Sequence, residues 1–211
     1  WVLVPAASKK SPKKLIKSAL PTLLDSCKLV PMESPTLDDD ILTMESRLIQ
    51  DQYKFGVLFC QAGQDQESAM ISNNDPSKSF WDFLDLMGSR VELLGFPNYS
   101  GGLDTKKGTC GTHSYYTKFS DIEIMFHVGP LMPFIEGDEQ QLGRKRHIGN
   151  DVVVLIFKED KTALSPAVFR SHFNHIFIVV SVEDAGNGTP ESVRYRIAIT
   201  SKNGVHAYEP L

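Results

Sequence analysis

An amide carries both a donor and an acceptor and does not titrate, so a rigidly held Asn can orient a polar group without a proton transfer of its own. Asn150 is the residue of this sequence best placed for that task, because it falls at the corner between a short helix and a core strand. Arg144, Lys145, Arg146 and His147 come just before it and would put positive charge beside the amide. On the residues alone a plainer account also stands. Cations gather at helix C-termini because the dipole favours them, and Asn is common near helix ends.

The elements that must hold this corner read from the same stretch. Asp138 is suited to an N-cap, with Gln141 at capping-box spacing and Glu139 in the first turn. The pattern predicts a helix beginning near Asp138 and stopped by Gly149 in a left-handed conformation. Asp151 then leads into VVVLIFK, a β-branched run with the character of a buried strand over Val152–Phe157.

Residues 144–151, RKRHIGND, followed by an apolar strand, resemble the signature of the Rap-GAP family, which also includes tuberin and the Ral GTPase activators. Three further stretches agree in order and spacing: YKFGVLFCQAGQ at 53–64, GGLDTKKGTCGTHSYYT at 101–117 and IEIMFHV at 122–128. The resemblance covers roughly 53–200 and implies an activator of a small GTPase of the Rap, Ral or Rheb group. The 101–117 block looks most like Rap-directed members. Asn150 then matches the asparagine thumb that enters the partner's nucleotide site and orients the attacking water. His147 matches a His that supports or contacts the site. Arg144, Lys145 and Arg146 match the basic part of the signature, with a partner-binding or supporting role. GTP and Mg²⁺ belong to the partner, and this chain holds no cofactor or metal of its own. A GTPase-binding scaffold without activity is the alternative. The implied fold is a mixed central β-sheet flanked by helices, an α/β or α+β sandwich loosely similar to a small G domain.

Composition agrees with such a role. The 211 residues are 41% apolar and 23% charged, which suits one domain with a sizeable core. A net charge of −4 supplies no global attraction to nucleic acid. No apolar run approaches membrane-spanning length. Cys27, Cys60 and Cys110 are odd in number and form no C-x-x-C pair, in keeping with a reducing cytoplasm. Residues 1–37 form a Pro-interrupted segment with a lysine cluster at 9–17, expected to be a solvated linker, and the family resemblance implies that it is a remnant of a dimerisation subdomain. The same cluster offers a peripheral contact with anionic lipid, and a homodimer is the self-association that such a subdomain, as the resemblance implies it, would leave open. Residues 38–211 are then the catalytic domain.

The remaining elements follow from period and punctuation. A helix is expected over Ile41–Leu48, a first core strand over Tyr53–Cys60, and a polar loop across AGQDQES. Phe80, Phe83, Leu84 and Met87 form a core stripe on a helix over Ser77–Met87, stopped by Gly88. Arg90–Leu94 reads as a strand, residues 112–119 and 122–128 as a hairpin, Ala167–Phe173 as a short helix, and Ile176–Val182 and Val193–Thr200 as closing strands. GGLDTKKG lacks the strand–loop–helix context of a phosphate cradle. His113 and His127 have no clustered carboxylate or thiol partner in sequence and are expected to be structural, and His172 and His175 form an H-x-x-H across a helix end, not the H-E-x-x-H on a continuous helix that a zincin site needs.

Overall fold

The computed structural model describes residues 51–184 and 192–205, with six isolated positions before residue 44. The chain divides into two units, Trp1–Ile49 and Gln50–Leu211, and every element below lies in the second. Most of the lysine cluster, most of the expected helix over Ile41–Leu48 and most of the turn at 185–192 fall outside the described residues.

Seven strands form one mixed sheet: β1 (Gln52–Cys60), β2 (Ser89–Glu92), β3 (His113–Phe119), β4 (Ile122–Val128), β5 (Val153–Lys158), β6 (Ile176–Asp184) and β7 (Arg194–Ser201). Their spatial order is β2-β3-β4-β1-β5-β6-β7. The centre is parallel, with β1 between β4 and β5 and β6 beyond. Both margins are antiparallel, β2-β3-β4 on one side and β6-β7 on the other. This is the mixed sheet expected from the sequence. The central strands are unbroken apolar runs because they are covered on both faces.

Alternation along β1 divides the core. Val57 and Phe59 face α2 (Lys78–Met87), where Phe80, Phe83 and Leu84 are buried as the helical period requires. Phe80 meets Phe59 and Phe157 edge-on, with ring centroids 5.4 and 5.8 Å away, a favourable aromatic geometry. Leu58 and Cys60 face the other layer. There they pack with Met70 and Ile71 from α1 (Glu67–Ile71) and Ile148 from α3 (Leu142–Ile148). Each buried side chain of this size contributes roughly 1.5–3 kcal/mol of transfer free energy.

Away from the Asn150 stretch, two elements differ from the sequence reading. The polar AGQDQES loop runs into α1, because Met70 and Ile71 just after it are drawn fully into the core. The helix expected over Ala167–Phe173 is only a 3₁₀ turn, Pro166–Val168, with Ser165 accepting from the Ala167 N–H. Phe169 ends it by plunging into the core in extended conformation.

Candidate functional site

Helix α3 carries Asn150 at its end. It starts at Leu142, four residues later than the sequence suggested, and Asp138 does not cap it through a capping box. Gly137 (φ +83°) and Gln141 (φ +45°) instead fold 137–141 into a tight turn. Within that turn Asp138 accepts from the Gln140 and Leu142 N–H groups. The Gln141 side chain is buried and staples the turn, donating to the Ile135 and Asp138 carbonyls and accepting from the Ile135 N–H. Gly149 stops the helix, but at φ −68° and not in the left-handed region. Glycine is required there by space: a Cβ would stand 2.5 Å from the Lys145 carbonyl oxygen.

Asn150 is exposed at the corner before β5, the placement the sequence predicts. Its Nδ2 donates to the Arg146 carbonyl oxygen at 2.7 Å. A shallow groove of about 490 Å³ opens beside it, lined by Leu142, Arg146, His172 and Phe173 among others. Leu142 and Phe173 are 59% and 60% exposed, so this groove presents apolar surface next to the amide.

The four consecutive basic residues do not form one cationic face. Arg144 is 1% exposed, and all five of its N–H donors are taken. Nε and Nη2 donate to the Met132 carbonyl, Nη1 to those of Ile71 and Asn73, and Nη2 also to Asn74 Oδ1. It braces α3 against the end of α1. Lys145 reaches Glu67 of α1 at 3.1 Å. Arg146 is exposed. His147 is half-buried, and burial is the main cause that lowers its pKa to about 4, with His127 and Arg146 acting in the same direction. It is therefore neutral near pH 7. Its Nε2 stands 3.2 Å from Cys110 Sγ and 3.4 Å from Arg146 Nη2. Guanidinium nitrogens only donate, so Nε2 serves as acceptor.

Behind Asn150 lies a buried polar cluster. Asp151 is fully enclosed, with Oδ2 2.8 Å from His127 Nδ1 and Oδ1 3.6 Å from Lys54 Nζ. His127 Nε2 faces the Gly101 carbonyl oxygen at 3.1 Å, so both ring nitrogens meet acceptors. The rings of His127 and His147 are 5.5 Å apart, edge to face. Gly56 of β1 admits this packing: a Cβ there would come within 2.9 Å of Ile148 Cγ2 and 3.2 Å of Asp151 Oδ2. Asp104 organises the loop that delivers Cys110, accepting from the Lys106, Lys107 and Thr109 N–H groups and from the Thr109 hydroxyl. These bonds hold the Asp104 carboxyl well below the usual carboxylate range. The Gly-rich 101–111 stretch is thus a self-stapled turn.

Gly56, Gly101, Cys110, His127 and Asp151 come from the four sequence blocks at 53–64, 101–117, 122–128 and 144–151, and they gather with His147 behind Asn150. Sequence reasoning treated His127 as a structural histidine and passed over Cys110 and Asp151. Nothing in their spacing links them, because 24 to 37 residues separate the partners. Among the described residues no three His, Cys, Asp or Glu side chains converge as metal ligands. No helix among them is long and apolar enough to cross a membrane.

A model of the Rap/ran-GAP family matches residues 70–211. The chain is 40% identical over 201 residues to human signal-induced proliferation-associated protein 1, covering 95% of this chain and 19% of that protein. It is 39% identical over 199 residues to mouse signal-induced proliferation-associated 1-like protein 1, covering 94% of this chain and 11% of that one. The chain therefore spans about a fifth or less of these curated relatives. Among solved structures, the TSC2 GAP domain superposes with a TM-score of 0.67 at 28% identity, covering 75% of this chain and 84% of that chain.

Proposed function

Since the chain belongs to the Rap/ran-GAP family, we propose that it accelerates GTP hydrolysis on a Rap-type small GTPase by lending the Asn150 amide to the partner's active site. GTP and Mg²⁺ sit on the partner. Phosphoryl transfer of this kind needs a water held in line with the γ-phosphate, and there is little covalent chemistry for an activator to perform. An amide is suited to hold that water because it offers a donor and an acceptor together and keeps one protonation state.

The observation that carries this reading is the placement of Asn150. It is an exposed, uncharged amide at the tip of a helix–strand corner, backed by a buried cluster drawn from four separate chain segments. The amide turns about its own χ angles away from the Arg146 carbonyl when a partner arrives, and the backbone stays in place. The groove with Leu142 and Phe173 supplies apolar contact for the GTPase surface around its nucleotide, and Arg146 supplies one exposed positive charge. His147 acts from behind as a neutral prop. Arg144 and Lys145 brace α3 on α1.

The test is single-turnover hydrolysis on a panel of GTP-loaded Rap, Ral and Rheb. Acceleration greatest on Rap is the expected result. Acceleration only of Ral or Rheb changes the partner, and binding without acceleration of any of them makes the chain a scaffold. GTP hydrolysis by this chain alone would overturn the assignment as activator.

A further inference from the structure

The carbonyls at the end of a helix have no intrahelical partners and are commonly satisfied by water. At the end of α3 the Ile148 carbonyl, and just beyond the helix those of Gly149 and Asp151, accept from side chains of another segment of the chain. Asn174 is 1% exposed, and its Nδ2 donates to the Ile148 carbonyl at 2.9 Å and to the Asp151 carbonyl at 2.6 Å. Both protons of its amide are thereby used. Ser171 Oγ donates to the Gly149 carbonyl. The two side chains thus hold three of the four carbonyls at 148–151, before and after Asn150. The clamp is itself secured: Lys202 Nζ donates to the Ser171 carbonyl, and the His175 N–H to that of Val152 at 2.9 Å.

We infer that Asn174, assisted by Ser171, is a positioning residue for the Asn150 amide; this rests on Asn150 being the group lent to the GTPase. Asn174 is buried, and its amide is spent on the backbone on either side of Asn150, so it acts through that backbone. The exposed Asn150 side chain is tied to its own helix alone, and its aim is inherited from this backbone. A displacement near 1 Å of a positioned group can cost on the order of 10²-fold in rate, which is the effect the clamp prevents.

The experiment compares wild type, Asn174→Ala, Ser171→Ala and Asn150→Ala, titrated against a GTP-loaded Rap-type GTPase under single-turnover conditions. Amide hydrogen exchange is followed at residues 149–152 and across the sheet. Asn174→Ala should lower the saturating rate about 10- to 100-fold. Its half-saturating concentration should stay within about 3-fold of wild type, because the lost interaction is made in the transition state. Exchange should quicken at 149–152 while the central strands keep their protection. Ser171→Ala should move in the same direction by less. A saturating rate per folded molecule within about 2-fold of wild type would overturn the inference, since a merely structural bond changes stability and not the aim of Asn150. Should Asn174→Ala fail to fold, Ser171→Ala decides by the same criteria. If Asn150→Ala is inactive while the clamp variants keep their rate, only the positioning inference falls. If wild type gives no acceleration, or Asn150→Ala remains fully active, the functional reading itself fails and takes the inference with it.

Discussion

Asn150 Nδ2 lies 2.7 Å from the carbonyl oxygen of Arg146, so the amide rests folded against the last turn of its own helix. An exposed neutral hydrogen bond of this kind is worth only about 1 kcal/mol net. In the proposed role, leaving it for a partner's active site costs little, and the corner that carries it need not unfold.

Asn150→Ala should keep the fold and bind the GTP-loaded partner nearly as wild type does, yet lose stimulation by ~10²–10³-fold, the usual effect of deleting one positioned polar group. Melting temperature, affinity and single-turnover rate on one preparation separate this from a capping role, which costs ~1 kcal/mol of stability and leaves activity per folded molecule intact. A folded variant within a few-fold of wild-type rate would sink the thumb mechanism.

Arg144→Ala should behave as a core lesion. It strands carbonyls of Ile71, Asn73 and Met132 that the guanidinium now satisfies, and breaking such charge-assisted bonds should destabilise the chain by about 3 kcal/mol or more. The denaturation midpoint should fall accordingly. A surface role would instead leave the midpoint unchanged and weaken partner association.

Arg146→Ala should slow association with the GTPase and flatten its dependence on salt up to ~0.15 M, where the screening length is ~8 Å. Lys145→Ala should do less, because Lys145 is already paired with buried Glu67. Stopped-flow association rates across a salt series check both. Equal effects from the two variants would mean that the Glu67 pair opens in the complex.

Acid should weaken the site through His147, whose pKa is about 4 in the folded chain against an ordinary 6.5. As pH falls the unfolded chain takes up this proton first, so the stability His147 provides is full above about 6.5 and is lost toward about 4. His147→Gln removes the titration and should flatten the melting temperature's decline across that window. Parallel curves for variant and wild type would show that His147 does not carry the effect.

Gly56→Ala tests the packing behind Asn150. Its methyl would meet Ile148 and Asp151 at 2.9 and 3.2 Å, a form of overpacking that typically costs 1–3 kcal/mol. Stimulated hydrolysis should fall along with thermal stability, because the atoms that must move belong to the residues flanking Asn150. Full activity in a stable Gly56→Ala protein would mean that the corner has slack.

The sequence by itself determined most of the scaffold, because those features are local. The aromatic stripe of α2, the hairpin of β3 and β4, the unbroken apolar runs of β1 and β5, and the corner at Gly149–Asn150 each follow from period, branching and turn chemistry within a dozen residues. Tertiary structure alone decided what the consecutive basic residues do. Neighbours on a helix point about 100° apart, so four in a row are dealt to different surroundings. Arg144 went inward to carbonyls as far as 73 residues away in sequence, Lys145 to Glu67, Arg146 to solvent and His147 to a thiol 37 residues distant. Gln141 left a capping box for a buried staple in the same way, and Asn174 was recruited to carbonyls 23 and 26 residues upstream. A pattern read along the chain contains none of these partners, because each is chosen by where the sheet brings distant segments together.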